Sequence, residues 1–504
     1  MSPVFKAIAL CFSGGGYRAS CYTFGCLSFL EKINLLEHVK ALSTVSGGTI
    51  TGGKYVQSLI EHQSFDQFYL EYYNWLKEDT LTENVIKHIK SYKVWKQPEN
   101  KHKHKNPINA LAIEYNKLTN NRTLGHFQNH KTHLERISFN TTDFTYATQF
   151  RFQNIDKSGR VFGHKFLKPE YRNLEDQIKI GDCIAASSAF PGGFEPIAFP
   201  SDFVPNTNHI ETIGLMDGGI VDNQGASVFL TTKEDANPYS LFFINDVSSP
   251  YVNKDKNETF KFAETSKLSK VLTILSNPIL LVGFILLSIF AFIKNWWLLY
   301  SIFLIISTFQ LVIQLGLLML SIKIGKLTNL TETFKVAPHR LGKYLINRLN
   351  SLLIMSGVVM LKNDRRQNAS KLYNSYNEIA ITSAIYELRC KDSDKPEFAL
   401  EWEKIKPYTN DISENIKTIA NRCASFGTNL WFDRKAKSNN MLDQLIACGE
   451  FTTCYNLIAY LVRFHEDKIK GKDAELTAIF NLLLEYWEQF QANPLWLVKE
   501  RYTN

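Results

Sequence analysis

Short apolar runs alternate with segments that carry apolar residues at helical spacing over the first 60 positions. Val4 to Phe12 reads as a buried strand that runs into S-G-G-G-Y-R (Ser13 to Arg18), and a helical pattern follows from about Ala19 to Glu31. Val39 to Val45 is a second β-prone run, closed by Ser46 and two glycines before a helix-compatible segment from Thr49 to about Ile60. Two strand, glycine turn, helix units in succession predict an α/β fold with a largely parallel central sheet. In such folds ligands collect at the C-terminal ends of the strands, which puts Ser13 to Gly16 and Ser46 on one edge.

Farther along, Phe65 to Glu135 is polar, aromatic-rich and helical in pattern, an insertion of about residues 65–135. Ile137 to Asp143 and Phe150 to Asn154 alternate as strands do. Ile180 to Pro196 is a small-residue helix ended by Pro191, suited to close packing against the elbow, and Gly214 to Gly225 sets Asp217 between an apolar lead-in and two glycines. Leu241 to Asn245 reads as the last strand, closing the sheet. Two uncharged runs come next, Val271 to Ile293 and Trp296 to Ile322, broken only by Lys294-Asn295. At about 1.5 Å per residue each can cross a hydrocarbon layer of about 30 Å, which predicts a transmembrane hairpin. Lys261, Lys267 and Lys270 before it and Lys323 and Lys326 after it, against Lys294 alone at the turn, place the flanking regions in the cytoplasm. Residues 327–504 read as helical, at Leu341 to Leu361, Ile379 to Leu388, Asn439 to Phe464 and Ala474 to Phe490. The expected organisation is a catalytic domain over 1–260, a membrane hairpin over 271–322 and a C-terminal region over 327–504 that packs on the core or regulates it.

Composition narrows the class. Of 504 residues 45% are hydrophobic and 13% aromatic, as in a globular or membrane-attached chain rather than a disordered one. The formal charge of +8 is modest and the basic residues form no single stripe, so no nucleic-acid partner is expected. The densest basic cluster, Lys101 to Lys105, reads as a solvated loop beside Pro98 and Pro107. Eight scattered cysteines without paired spacing read as reduced thiols. The N-terminal apolar run lacks a cleavage-like ending and reads as a strand rather than a signal peptide.

The chemistry gathers at Ser46. A serine held at a sharp strand-to-helix turn has an exposed hydroxyl, with small neighbours and a helix N-terminus facing an incoming carbonyl. Taken alone, S-G-G also fits an ordinary turn. The glycine loop at 13–16 lacks both the G-K-[ST] of a phosphate loop and the spacing of a dinucleotide fingerprint, and its unhindered N–H groups suit an oxyanion hole. A serine needs a base. The first histidine after Asp217 is His339, beyond both membrane runs, which makes a Ser, acid, His order awkward and points to a carboxylate acting directly on Ser46. Asp217 is the best-placed candidate, with Asp222 in reserve; either could instead cap a turn.

Four blocks in this order, S-G-G-G-Y-R (13–18), T-V-S-G-G (44–48), A-A-S-S-A-F-P-G-G-F-E-P (185–196) and D-G-G (217–219), resemble the patatin-like phospholipases over about residues 5–250. Residues 420–432, A-N-R-C-A-S-F-G-T-N-L-W-F, are similar to C-terminal regions of longer bacterial members. The resemblance implies a patatin-like three-layer α/β fold and phospholipase A-type hydrolysis of membrane lipid esters through an acyl-enzyme. On it Ser46 is the nucleophile and Asp217 the base. Gly14, Gly15, Gly16 and Gly47 supply oxyanion N–H donors, and Arg18 holds the loop or adds positive charge. No metal or organic cofactor is required. Two positions depart from the pattern: Thr44 stands at the elbow's first glycine, and Ser13 where an acidic residue often precedes the triple glycine. The expected partners are membrane phospholipid and, through the hairpin, the bilayer itself, with a homo-oligomer or an activator left open. The expected location is a bacterial inner membrane, with the catalytic and C-terminal regions cytoplasmic. A catalytically silent scaffold and a lipid acyltransferase are the competing readings. The insertion or the C-terminal helices are expected to restrain the enzyme.

Overall fold

The computed structural model describes residues 2–128, 131–154, 161–168, 171, 174–207, 209–230, 237–248, 274, 277–328, 351–352, 355–389 and 402–503. The chain falls into two compact units, one of Met1–Tyr251 with Leu361–Asn504 and one of Val252–Met360.

The first unit is built on a nine-stranded sheet: β1 Ile8–Phe12, β2 Val39–Val45, β3 Arg136–Asp143, β4 Thr148–Gln153, β5 Phe162–Gly163, β6 Ile197–Phe199, β7 Ile213–Asp217, β8 Leu241–Asp246 and β9 Ala380–Ala384. The main path runs β5-β4-β3-β2-β1-β8-β9, with β7 pairing both β3 and β6. The pairs β3-β2, β2-β1, β1-β8 and β8-β9 are parallel, and the pairs that join β4, β5, β6 and β7 are antiparallel. The expected mostly parallel sheet is what forms. β1 is apolar at every position because both its faces are covered. Ile8, Leu10 and Phe12 join the large core, while Ala9 and Cys11 join a second core with Phe242, Leu372 and Tyr376.

Two helices follow the first two strands, α1 Gly16–Lys32 and α2 Gly47–Ile60. The insertion covers them with aromatics: Phe24 of α1 meets Phe68 at 5.6 Å, Tyr69 at 4.6 Å and Tyr72 at 5.0 Å between ring centroids. The helix Met441–Phe464 lies against α1 so closely that side chains are excluded at the crossing. A Cβ at Gly25 would meet Ile446 O at 1.9 Å, and one at Gly449 would meet Tyr22 O at 2.0 Å.

Three sequence expectations change here. Leu241 to Asn245 does not close the sheet, because β9 pairs in parallel outside β8. Ile379 to Leu388 is therefore strand at its start rather than helix; a short apolar run does not distinguish the two, and the β-branched Ile381 and Thr382 favour the pleat. The basic cluster is a loop only partly solvated: Lys101, His104 and Lys105 are exposed, but Lys103 is buried. Lys103 Nζ sits 2.8 Å from Asp182 Oδ1 with both side chains 1% exposed, and donates to Asp202 O at 2.5 Å, while His104 Nδ1 is 2.8 Å from Asp202 Oδ1. The cluster clips the insertion to the helix Ile180–Ser188, since a lysine is buried only where a carboxylate meets it.

In the second unit Pro278–Ile293 and Trp297–Thr328 form a helical hairpin. Its first helix begins later than expected. Asn277 caps it through a 2.9 Å bond from Ile279 N–H, with Pro278 at the first position. Its 16 residues span about 24 Å. Residues 271–273, 275 and 276, together with Lys261, Lys267 and Lys270, lie outside the described residues, as does most of the expected helix Leu341 to Leu361. Lys323 and Lys326 belong to the second helix. Among the described residues two helices are long and apolar enough to cross a membrane. The apolar 18-residue window of Trp297–Gly316 is 11% buried within the protein and that of Met441–Phe464 is 94% buried, so the latter is the core helix of the first unit.

Candidate active site

β2 and α2 make the elbow. Ser46 follows β2 and is the N-cap of α2, with φ 50° and ψ −120°. A serine in that backbone region stores about 1–3 kcal/mol that its surroundings must hold. Close backbone contact does so: a Cβ at Gly47 would lie 2.1 Å from Gly16 O, and one at Gly48 2.8 Å from Ser13 O. The Ser46 N–H donates to Ser187 Oγ (2.8 Å), and Ser187 donates onward to Asn140 O (2.7 Å), with Thr49 Oγ1 2.9 Å away. Ser187 belongs to the A-A-S-S block, whose small side chains bring its helix to the elbow as the sequence suggested.

Thr44 is in β2, where no glycine backbone is needed, and its side chain finds room because the facing helix position is Gly52. A Cβ there would lie 2.6 Å from Thr44 Cγ2. Ser13, the other departure, ties the glycine loop to the end of β8: its Oγ accepts Val247 N–H at 3.1 Å and its N–H donates to Asn245 O at 3.0 Å.

Asp217 ends β7, which reaches the elbow by pairing Thr141 of β3 opposite Asp217. Its N–H donates to Ala189 O (3.0 Å) and its Oδ1 accepts Gly219 N–H (2.7 Å), while the nearby Ser46 hydroxyl favours the charged form of its carboxylate. Burial raises its pKa from 3.8 to about 6, against the Ser46 hydroxyl, the Gly219 N–H bond and the charge of Arg365, which hold it down. Asp222 is spent on its own turn, accepting Gly225 N–H at 3.0 Å and Ser227 N–H at 2.7 Å. No hydrogen bond from a histidine reaches Ser46 or Asp217 among the described residues.

The glycine loop lies against the serine, since a Cβ at Gly14 would sit 3.1 Å from Ser46 Cβ. Gly14 leaves the set of expected donors because its N–H is bonded to Asn223 O (3.0 Å). Gly15 caps α1 and Gly16 opens it, at φ 150° and 58°, and Gly47 opens α2; neither helix has a side-chain cap. The first N–H groups of a helix have no intrahelical partner, so these ends present donors to an anion. Arg18 turns away to the C-terminal region, donating from Nη1 to Phe426 O (2.7 Å) and Ala424 O (3.4 Å), while Tyr17 N–H donates to Asn429 O (2.9 Å). Burial lowers its pKa to about 10.

Residues 10–230 match the patatin-like phospholipase family. Ser46, Asp217 and the glycine loop all fall inside that stretch, whereas Arg365 and the 424–429 segment fall outside it. The match supports a lipid acyl hydrolase in general. No curated protein matches the chain.

Sequence reasoning missed Ser187, Asn223 and Arg365 as members of the site. Ser187 and Asn223 stood within quoted blocks, 185–196 and 214–225, as polar residues without an assigned part. Arg365 carried no signal, being 148 positions from Asp217 along the chain, 365 less 217.

Proposed function

We propose that the chain is a membrane-anchored serine lipid acyl hydrolase of phospholipase A type, in which Ser46 attacks the acyl ester and Asp217 takes its proton. The reading is carried by an elbow serine at φ 50° whose hydroxyl is near enough to a buried Asp217 carboxylate to favour its charged form. Asp217 returns the proton to the leaving alcohol, and water then releases the fatty acid from the acyl-enzyme. The N–H groups at Gly15, Gly16 and Gly47 would stabilise the tetrahedral oxyanion. Anchoring is assigned to the hairpin of Pro278–Ile293 and Trp297–Thr328, whose exposed apolar side chains include Ile279, Leu298 and Ile305.

Fatty acid release from mixed phospholipid vesicles tests the assignment. Wild type should release fatty acid, while Ser46→Ala and Asp217→Asn, each shown to be folded, should lose at least about a hundredfold in rate. Retained activity in either variant would refute the dyad. An inactive wild type would favour the scaffold reading.

A further inference from the structure

The first helix of the catalytic unit after the hairpin, Leu361–Tyr376, packs on the short helix Gly219–Asp222 that follows the Asp217 turn. Asn368 marks the contact, its Nδ2 lying 3.5 Å from Asp222 Oδ1 and 3.1 Å from Asp364 Oδ2. One turn earlier on that face stands Arg365. Its side chain is only 8% exposed and its Nε is buried without a hydrogen bond. No ion pair within 4.0 Å engages it among the described residues. Its charge is felt by Asp217 and by Arg18, as well as by its neighbour Asp364. Asn223 adds a second unused donor, because its Nδ2 is buried and unpartnered while its Oδ1 faces the Cα positions of Gly14 and Gly219.

A largely buried arginine whose Nε has no partner gains stability when an anion completes its hydrogen bonding. The planar fork matches phosphate oxygens in pairs, and a neutral amide N–H can add a third bond. We propose that Arg365, with Asn223 Nδ2, receives the phosphodiester of a phospholipid whose acyl ester is presented to Ser46. The assignment rests on the hydrolase reading above and gives that site a preference for phosphate-bearing lipid. Lys362 and Arg366, in the same turn of the helix, add positive charge beside Arg365.

The test is a titration of full-length Ser46→Ala protein in detergent with dihexanoyl phosphatidylglycerol, dihexanoylglycerol and inorganic phosphate, by calorimetry. The same titration is run with Arg365→Gln or Arg365→Lys added. Arg365→Gln should weaken phosphatidylglycerol binding about tenfold or more and leave dihexanoylglycerol within about twofold, with Arg365→Lys in between. Inorganic phosphate should bind more weakly than the phospholipid and lose affinity with it in Arg365→Gln. The ratio of the two lipids in one sample is insensitive to a misfolded fraction. Equal weakening of both lipids would make Arg365 only a positioning residue for Asp217 and overturn the proposal. So would unchanged binding, or loss of phosphate affinity without loss of phospholipid affinity. Because binding is read without turnover, failure of wild type to hydrolyse any ester would sink the hydrolase reading and leave the arginine to be decided by the titration.

Discussion

At the scale of single residues the site is a matter of one strained serine and one buried acid. Ser46 occupies its angles only because Ser187 holds its N–H and Gly47 lets Gly16 approach to contact. Asp217 is buried enough to ionise near pH 6 rather than 3.8, which makes it a better base near neutrality than an exposed aspartate. In the proposed mechanism Asp217 must be charged to act as base. The rate on a soluble uncharged ester should therefore fall as the pH drops through about 6 and level off above it, as a pH profile of kcat/KM would read. The stability effect has the opposite sign: a raised folded-state pKa means that stability is lost as pH rises from 3.8 to about 6. Asp217→Asn should accordingly melt no lower than wild type at pH 7.5, and a lower Tm would show that the carboxylate is structurally needed.

At the scale of elements, packing decides what each apolar run becomes. The Met441–Phe464 helix has the length and composition of a membrane span, yet Gly449 and Gly25 let it press against α1, and most of it is buried. A methyl at Gly449 would have to displace the Tyr22 carbonyl, 2.0 Å away. Gly449→Ala is expected to cost about 3 kcal/mol, read as a lowered urea midpoint. Helix spacing was legible in this segment from sequence, whereas its burial was not. β9 was not legible either: A-I-T-S-A is too short for periodicity to assign, and its partner β8 lies more than 130 positions earlier, Ala380 against Phe242.

At the scale of the molecule, the chain leaves the catalytic unit at Tyr251, passes through the hairpin unit and returns at Leu361 to finish the same fold. The returning part supplies an edge strand, three members of the second core (Leu372, Tyr376 and Ala380), and the carbonyls that hold Arg18. It is thus part of the fold's core, and an added regulatory layer is not needed to explain its size. Deleting residues 361–504 should yield insoluble protein. Replacing residues 252–360 with a flexible linker should yield a soluble, cooperatively melting protein that cleaves short-chain esters but no longer sediments with vesicles. Vesicle binding by that variant would remove the hairpin as the anchor.

The sequence by itself determined the local events: the strand, glycine, helix units, the serine at the turn, the aspartate before two glycines, and two uncharged runs around Lys294-Asn295. These are set by neighbours within a few residues, through backbone angles and periodicity, so they can be read one segment at a time. Only the tertiary structure decided which donors stay free, since Gly14 gives its N–H to Asn223, and which cations are spent, since Lys103 meets Asp182 while the Arg365 Nε is buried without a hydrogen-bond partner. Those outcomes depend on which distant segments share a place, because burial and pairing are properties of a position in space rather than of a position in the chain.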